Sequence, residues 1–231
     1  MKIISAEEVH AALSYPALVD ALEEAYAGKF SMPPRQVFLL DPEGGKNDAF
    51  AVLPSWSDEF IGVKSFTYFP EATEPHKSLY SKIMLFDREH GEPLALVDGT
   101  TVTFWRTAGI SGLATRLLAR EDASSLLVLG TGNLSSYMIL ANASVRPLTK
   151  VMVWGRDPEK AAAVIAQVSG QLPDIEFSVV EDREAACGEA DIVVAATGSH
   201  EPVVLGDWIK PGTHTDFIGN HHATKRECDS A

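Results

Sequence analysis

The residues best equipped for chemistry follow an apolar run, where Leu127-Val-Leu-Gly-Thr-Gly-Asn-Leu-Ser-Ser136 sets Gly130, Gly132 and Ser135 in a G-x-G-x-x-S spacing. In a strand-to-helix turn the first glycine permits a tight bend and the second lets the backbone approach a pyrophosphate. A small third residue lets the helix pack closely on the strand. Gly130, Thr131, Gly132, Asn133, Leu134 and Ser135 are thus candidates for binding a dinucleotide. The spacing alone also fits an ordinary strand-to-helix turn. Context favours the cofactor. Residues 137–146 read as helix, Lys150–Trp154 as a second strand and Pro158–Gly170 as a second amphipathic helix, which supplies the βαβ setting the motif requires.

The end of that second strand bears on the choice of cofactor. NAD sites usually place an acidic residue there, roughly 20 residues past the glycines, to accept from the ribose hydroxyls. Here the strand ends in Trp154-Gly155-Arg156. No acidic side chain fills the slot; Gly155 is counted with the cofactor residues, Arg156 offers a planar fork of donors suited to a 2′-phosphate, and Lys160 lies one helical turn further on. Asp157 is the counterweight, because a shift of one or two positions would bring its carboxylate to the ribose; followed by Pro158, it also fits a helix N-cap. NADP(H) is favoured, with NAD(H) possible.

The chain has 231 residues, is 45% hydrophobic and carries a net charge of −13, which suits one large or two modest α/β domains with a sizeable core. That charge argues against a nucleic-acid surface, which needs a basic stripe, and against binding to an anionic membrane. No apolar run approaches the ~18 residues of a membrane span. Met1–Phe30 also lacks a basic start followed by an apolar block, so cytoplasmic residence is expected. Cys187 and Cys228 have no metal-site or CxxC spacing and read as reduced thiols. The scattered histidines at 10, 76, 90, 200 and 214 give no ligand spacing, so no metal site is expected.

The elements that must position these residues divide near 118. Before it, Ser5-Ala-Glu-Glu8 reads as a capping box, and Pro16 opens a helix with Leu18, Leu22 and Tyr26 at helical spacing and Gly28 past its end. Strands are expected at 35–40, 48–54 and 60–68, and a hairpin joins Lys82–Phe86 to Pro93–Val97 through Asp87-Arg-Glu-His-Gly91. Thr101–Ala119 forms a linking helix whose Gly109, Ser111, Gly112 and Ala114 leave room for close packing. After it, strands at 125–130, 150–154, 175–180, 191–196 and 213–218 alternate with helices, the rhythm of a doubly wound parallel sheet. The expected fold is α/β, with an N-terminal α+β domain at 1–118 and a Rossmann-like NAD(P)-binding domain at 119–231.

Several motifs in order resemble the ornithine cyclodeaminase/mu-crystallin family: Gly62-Val-Lys64 with Phe69-Pro70, Gly91-Glu-Pro-Leu-Ala-Leu-Val-Asp-Gly99, Trp105-Arg-Thr-Ala108, the Gly130 turn, Val153-Trp-Gly-Arg-Asp-Pro158, Ala190-Asp-Ile-Val-Val-Ala-Ala-Thr197, Pro211-Gly-Thr-His214 and Ile218-Gly219. The resemblance implies a substrate and dimerisation domain beside the Rossmann-like one, and hence a homodimer. It also implies a C-terminal segment that returns to the first domain; several dozen residues beyond the Gly219 loop would then be missing here. Members include ornithine cyclodeaminases, alanine dehydrogenases, reductases of Δ1-pyrroline-2-carboxylate and other cyclic ketimines, and thyroid-hormone-binding mu-crystallins.

By the same resemblance Arg35, Lys64 and Arg106 surround a substrate carboxylate, Thr107 helps hold the pyrophosphate and Thr197 lies at the cofactor. The chemistry is apt, since a guanidinium grips a planar carboxylate and an ammonium supplies a compact charge or a proton. Singly, Arg35 also fits a solvated loop, Lys64 an edge-strand charge and Arg106 a helix-surface pair. Lys64, flanked by Val63 and Phe66 in a strand, should face outward or be functional.

Where cyclodeaminases of the family carry an Asp after the last strand, the matching residue is His221 in Ile218-Gly-Asn-His-His222. An imidazole with a pKa near ~6.5 can donate a proton to an imine nitrogen, whereas it is poorly suited to holding a substrate ammonium. His221 also fits a purely structural loop role. Tyr80-Ser81 stands where many reductases of the family have Gln-Gly, so the pocket wall differs. The expectation is an NADPH-dependent reductase of a small cyclic imino acid, with Lys64 or His221 as proton donor. The alternatives are an NAD-dependent ornithine cyclodeaminase and a non-catalytic binding protein like mu-crystallin.

Overall fold

Local chemistry starts the chain as expected. Ser5 accepts from the Glu8 amide, and the Glu8 carboxylate accepts from the Ser5 amide, which closes a capping box on α1, Ala6–Ala12. The computed structural model describes residues 1–220 and 225–230. Contacts divide the chain into two units, Met1–Ser14 with Glu23–Trp105 and Tyr15–Leu22 with Arg106–Ala231. The sequence places the boundary at 118/119, but the division falls inside the linking helix, α3 (Gly99–Leu118). The later turns of α3 pack against the start of α2 (Tyr15–Ala27) and a helix of the second unit. A Cβ at Gly109 would stand 2.8 Å from Leu22 and 3.0 Å from Leu18, and one at Gly112 would stand 3.2 Å from the Ala141 carbonyl. Tyr26, expected on the buried stripe of α2, is exposed; Tyr15 and Val19 are the buried positions.

The first unit is a six-stranded sheet in the order β1-β6-β5-β4-β3-β2, made of β1 (Lys2–Ile4), β2 (Gln36–Leu39), β3 (Ala49–Trp56), β4 (Phe60–Tyr68), β5 (Leu79–Asp87) and β6 (Pro93–Asp98). β2 through β6 are antiparallel neighbours, among which β5–β6 is the hairpin the sequence predicts, and Gly91 takes a positive φ of 72° in its turn. β1, which the sequence reading leaves out, pairs parallel to β6 with Ile3 opposite Leu96. Val9, Ala95 and Val97 form the core of this unit, packed with Ile4, Leu13, Ile83, Leu85, Val102 and Trp105.

The second unit holds a five-stranded, wholly parallel sheet in the order β11-β10-β7-β8-β9. Its strands are β7 (Ser125–Leu129), β8 (Lys150–Trp154), β9 (Glu176–Val179), β10 (Ile192–Ala195) and β11 (His214–Phe217). Leu126, Leu127, Val128 and Leu129 are all 0% exposed, because a parallel strand covered by helices on both faces buries successive side chains. The helices are α4 (Ser135–Ala143), α5 (Pro158–Val168) and α6 (Arg183–Glu189). α4 begins two residues before the sequence predicts and ends three before, and a short 3-10 turn at Ser169–Gln171 follows α5. Buried Asn142 on α4 accepts from the Thr115 hydroxyl at 2.6 Å and donates to the Met138 carbonyl, so its amide is satisfied inside the apolar layer. None of the helices among the described residues is long and apolar enough to cross a membrane.

Candidate functional site

The turn from β7 into α4 is built as its glycines suggest. Gly130 has φ +122°, and a Cβ there would stand 2.6 Å from the Ala196 carbonyl oxygen, so both backbone angle and space exclude a side chain. The Gly130 amide donates to the Trp154 carbonyl at 2.9 Å, which ties the turn to β8. Ser135 is fully buried and its hydroxyl donates to the Gly130 carbonyl at 2.9 Å, the role that suits a small residue at the third position. Gly132 has nothing within 4 Å of its Cβ position, which leaves the backbone open to a ligand. Asn133 is exposed, Thr131 and Leu134 are half-buried, and no side chain caps the start of α4. Helix-terminal amides without a cap, beside an open glycine, make a cradle for a phosphate.

At the end of β8, a Cβ on Gly155 would collide with the Thr131 methyl, so the two loops touch there. Asp157 is occupied: its Oδ1 accepts from the Glu159 and Lys160 amides at 3.0 and 3.4 Å, capping α5. The N-cap account of Asp157 therefore describes its geometry, and its Oδ2 lies 4.0 Å from the Lys160 ammonium. Arg156 is exposed and makes no hydrogen bond or ion pair among the described residues. Thr197, just beyond β10, donates through both its amide and its hydroxyl to Glu227, at 2.6 and 2.8 Å.

The glycine turn, Gly155–Lys160 and Thr197 therefore gather at the carboxyl ends of β7, β8 and β10, the edge where doubly wound sheets bind nucleotides. The residues present there fit a dinucleotide in their chemistry: a backbone left open at Gly132 and an exposed, unengaged guanidinium just past the end of β8.

Two of the three candidate substrate cations lie on the first unit. Lys64, half-buried in the middle of β4, donates from Nζ to the Thr103 hydroxyl at 2.5 Å, and that hydroxyl donates to the Gly99 carbonyl at 2.6 Å. The ammonium also stands 5.9 Å from the Phe66 ring centroid. Lys64 thus points to the sheet face that meets the start of α3 and is not an edge-strand charge. Arg35 is exposed and lies just before β2, outside its pairing with β3. Arg106, exposed on α3, and half-buried Thr107 belong to the second unit. His221, the other candidate proton donor, lies outside the described residues, as does His222. The chain leading there is held: the Ile218 amide donates to the Ala195 carbonyl and the Asn220 side chain to the Ser199 carbonyl.

Sequence reading missed Thr103 and Glu227. The i, i+4 spacing of Gly99 and Thr103 is the only local sign of the first, and nothing near Glu227 announces the second. Tyr80 is exposed, with its hydroxyl accepting from the Lys77 amide, while buried Ser81 donates its amide to Thr100. Burial pushes the Cys187 thiol up to about 11, which makes it a poor nucleophile. Among the described residues no group of three His, Cys, Asp or Glu could hold a metal ion.

A doubly wound parallel sheet with this glycine turn defines a Rossmann-like, nicotinamide-cofactor class of protein, here joined to an α+β unit. The chain belongs to the ornithine cyclodeaminase/mu-crystallin family, whose model matches residues 2–231. It is 48% identical over 233 residues to a Δ1-pyrroline-2-carboxylate reductase of Colwellia psychrerythraea, covering 100% of this chain and 74% of that protein. The structure of the Thermococcus litoralis Δ1-pyrroline-2-carboxylate reductase, in complex with NADH and L-proline, superposes with a TM-score of 0.90 at 32% identity, covering 100% of this chain and 72% of that one. An archaeal alanine dehydrogenase dimer with bound NAD gives a TM-score of 0.88 at 28% identity over 99% and 70% of the two chains.

Proposed function

We propose that this chain is an NAD(P)-dependent oxidoreductase that reduces the C=N bond of a small cyclic imino acid, Δ1-pyrroline-2-carboxylate or a related ketimine, to the cyclic amino acid, with NADPH preferred. The observation that carries the reading is the likeness to Δ1-pyrroline-2-carboxylate reductases along the whole chain; the half-buried Lys64 and the open backbone at Gly132 support it. When bound, the reduced nicotinamide supplies the hydride that ends on the C=N carbon. The chain's own residues do the rest. Arg35, Lys64 and Arg106 hold the carboxylate, which fixes the orientation of the ring. Lys64 or His221 gives a proton to the nitrogen, which makes the imine carbon more electrophilic. Thr103 steadies the Lys64 ammonium by accepting one of its hydrogens, and Thr107 adds a donor toward the pyrophosphate.

NADPH is preferred because Arg156 is unengaged while the nearby carboxylate, Asp157, is spent on a helix cap. NADH is the second reading, favoured by the NADH and NAD complexes of the two similar structures. His221, standing where cyclodeaminases of the family have an Asp, favours reduction over ornithine cyclodeamination. A homodimer in the cytoplasm completes the reading, in keeping with the dimeric alanine dehydrogenase and with two unpaired thiols. The test is NADPH and NADH oxidation by purified protein over a panel of cyclic imines, with ammonia release from ornithine measured alongside. Imine-dependent oxidation is expected. Ammonia from ornithine without imine reduction would make the chain a cyclodeaminase, and cofactor binding with neither reaction would make it a binding protein.

A further inference from the structure

Glu227 is 4% exposed, and among the described residues its carboxylate is balanced by dipoles, without an ion pair to Lys, Arg or His. Oε1 accepts from the Thr197 amide at 2.6 Å and the Thr197 hydroxyl at 2.8 Å, and Oε2 accepts from the Gly219 amide at 2.6 Å. The group is pinned from behind as well. The Glu227 carbonyl accepts from the Val203 and Val204 amides at 2.8 and 3.0 Å, and Cys228 bridges Val204. One buried side chain thereby ties the loop that leaves β10 to the loop that leaves β11. The two loops are fitted to that tie. A Cβ at Gly219 would collide with the Thr197 backbone and with Glu227 itself, and Asn220 adds its 2.7 Å bond to the Ser199 carbonyl.

The place of this clasp in the sheet gives it meaning. In the order β11-β10-β7-β8-β9 the chain direction across the sheet reverses beside β7. The glycine turn follows β7 and Arg156 follows β8, so the adenosine half of a dinucleotide falls on that side. The other nucleotide falls on the ends of β10 and β11, where Thr197 and Gly219 stand. We propose that Glu227 is a positioning residue for the nicotinamide half of the cofactor: by holding Thr197–Ser199 and Gly219–Asn220 together, it sets the floor on which the hydride donor is oriented. This rests on the reading of the chain as a nicotinamide-dependent reductase. It also means that the two donors of Thr197 serve the clasp and not the cofactor directly.

Glu227→Gln tests it. The amide keeps the shape but sets an NH2 group against either the Gly219 or the Thr197 donors, so one loop is released. With the full chain, three readouts are taken beside thermal unfolding: amide hydrogen exchange over 197–199 and 219–220, NADPH affinity and emission from the fluorescence of the bound cofactor, and the kinetics of imine reduction with ordinary and 4-deuterated NADPH. Expected are exchange at least tenfold faster in those two segments but unchanged over 130–135, NADPH affinity within threefold of the parent and altered emission of bound NADPH. The kcat should fall at least tenfold with KM within threefold, and the deuterium effect on kcat should rise, because hydride transfer from a misaligned donor becomes limiting. Faster exchange with unchanged kcat, emission and deuterium effect would overturn the proposal and leave Glu227 a structural clasp. If the parent protein binds NADPH but reduces no imine, the reductase reading fails by itself, and unchanged emission in the variant then overturns the positioning role. Should Glu227→Gln not fold, Thr197→Val, which deletes the hydroxyl that donates to Glu227 and accepts from the Ser199 amide, is held to the same criteria.

Discussion

Replacing Arg156 with alanine should erase most of a preference for NADPH over NADH. The magnitude follows from what surrounds the guanidinium. Arg156 is exposed at the end of β8 without a partner among the described residues, so binding a 2′-phosphate breaks no existing bond. A hydrogen bond between charged groups contributes about 1.5–3 kcal/mol, equivalent to roughly 10- to 150-fold in affinity. Solvent exposure and side-chain ordering put Arg156 at the lower end, so the expected preference is about tenfold at physiological salt. It should shrink as salt is raised, because screening acts on the phosphate contact and leaves the neutral ribose hydroxyl untouched. The assay is fluorescence titration of NADPH and NADH against the parent protein, Arg156→Ala and Asp157→Ala at two salt concentrations. In Arg156→Ala the NADPH affinity should fall to that of NADH. Asp157→Ala should leave the ratio unchanged while costing about 1 kcal/mol of stability, because its Oδ1 caps the Glu159 and Lys160 amides. Equal affinities in the parent protein would refute the reasoning. So would a selective loss of NADH affinity in Asp157→Ala, since that carboxylate would then be reaching the ribose.

Lys64→Ala should lower kcat/KM for the imine at least a hundredfold with cofactor affinity preserved, because Lys64 and the glycine cradle belong to different units; steady-state kinetics with a cofactor titration decides it, and near-normal turnover would return Lys64 to a structural role. Asp191, at the amino end of β10, should govern acid stability. Burial pushes its carboxyl up, but hydrogen bonds from the Ser124 amide, the Ser125 hydroxyl and amide and the Lys210 ammonium outweigh that and hold it at about 2, with Arg120 Nη2 also 2.6 Å away. Because the folded value lies below the unfolded one of about 3.9, its contribution, about 2 kcal/mol, is complete above the unfolded value and is lost as pH falls toward about 2. Asp191→Asn should therefore destabilise the protein at pH 7 and flatten the dependence of unfolding free energy on pH between about 4 and 2; denaturant unfolding at several pH values checks this, and an equally steep acid loss in the variant would assign it to other carboxylates.

Much of the fold was legible because its signals are local. Four consecutive apolar residues, Leu126–Leu129, bounded by a glycine turn fit a strand covered on both faces, and the positive φ of Gly130 is one that glycine adopts without strain. The capping box at Ser5 and Glu8 and the Asp157 cap are likewise set by residues within three positions of each other. The geometry of the Gly130–Ser135 turn was legible for the same reason, since it is a continuous segment. What the tertiary structure decided are the pairings between distant segments. Lys2-Ile-Ile4 is too short to announce a strand, and it becomes one because β6 offers an open edge. The linking helix is shared between the units, because Gly109 and Gly112 accept Leu18, Leu22 and Ala141 at close range. Lys64 meets Thr103 across 39 residues, and Glu227 meets Thr197 across 30. A buried charge must find donors wherever the chain path brings them, and no periodicity or local spacing encodes that path. The sequence by itself therefore determined most of the strands and helices and the glycine turn, while only the folded chain decided the pairing of β1 and which side chains steady Lys64 and the loops after β10 and β11.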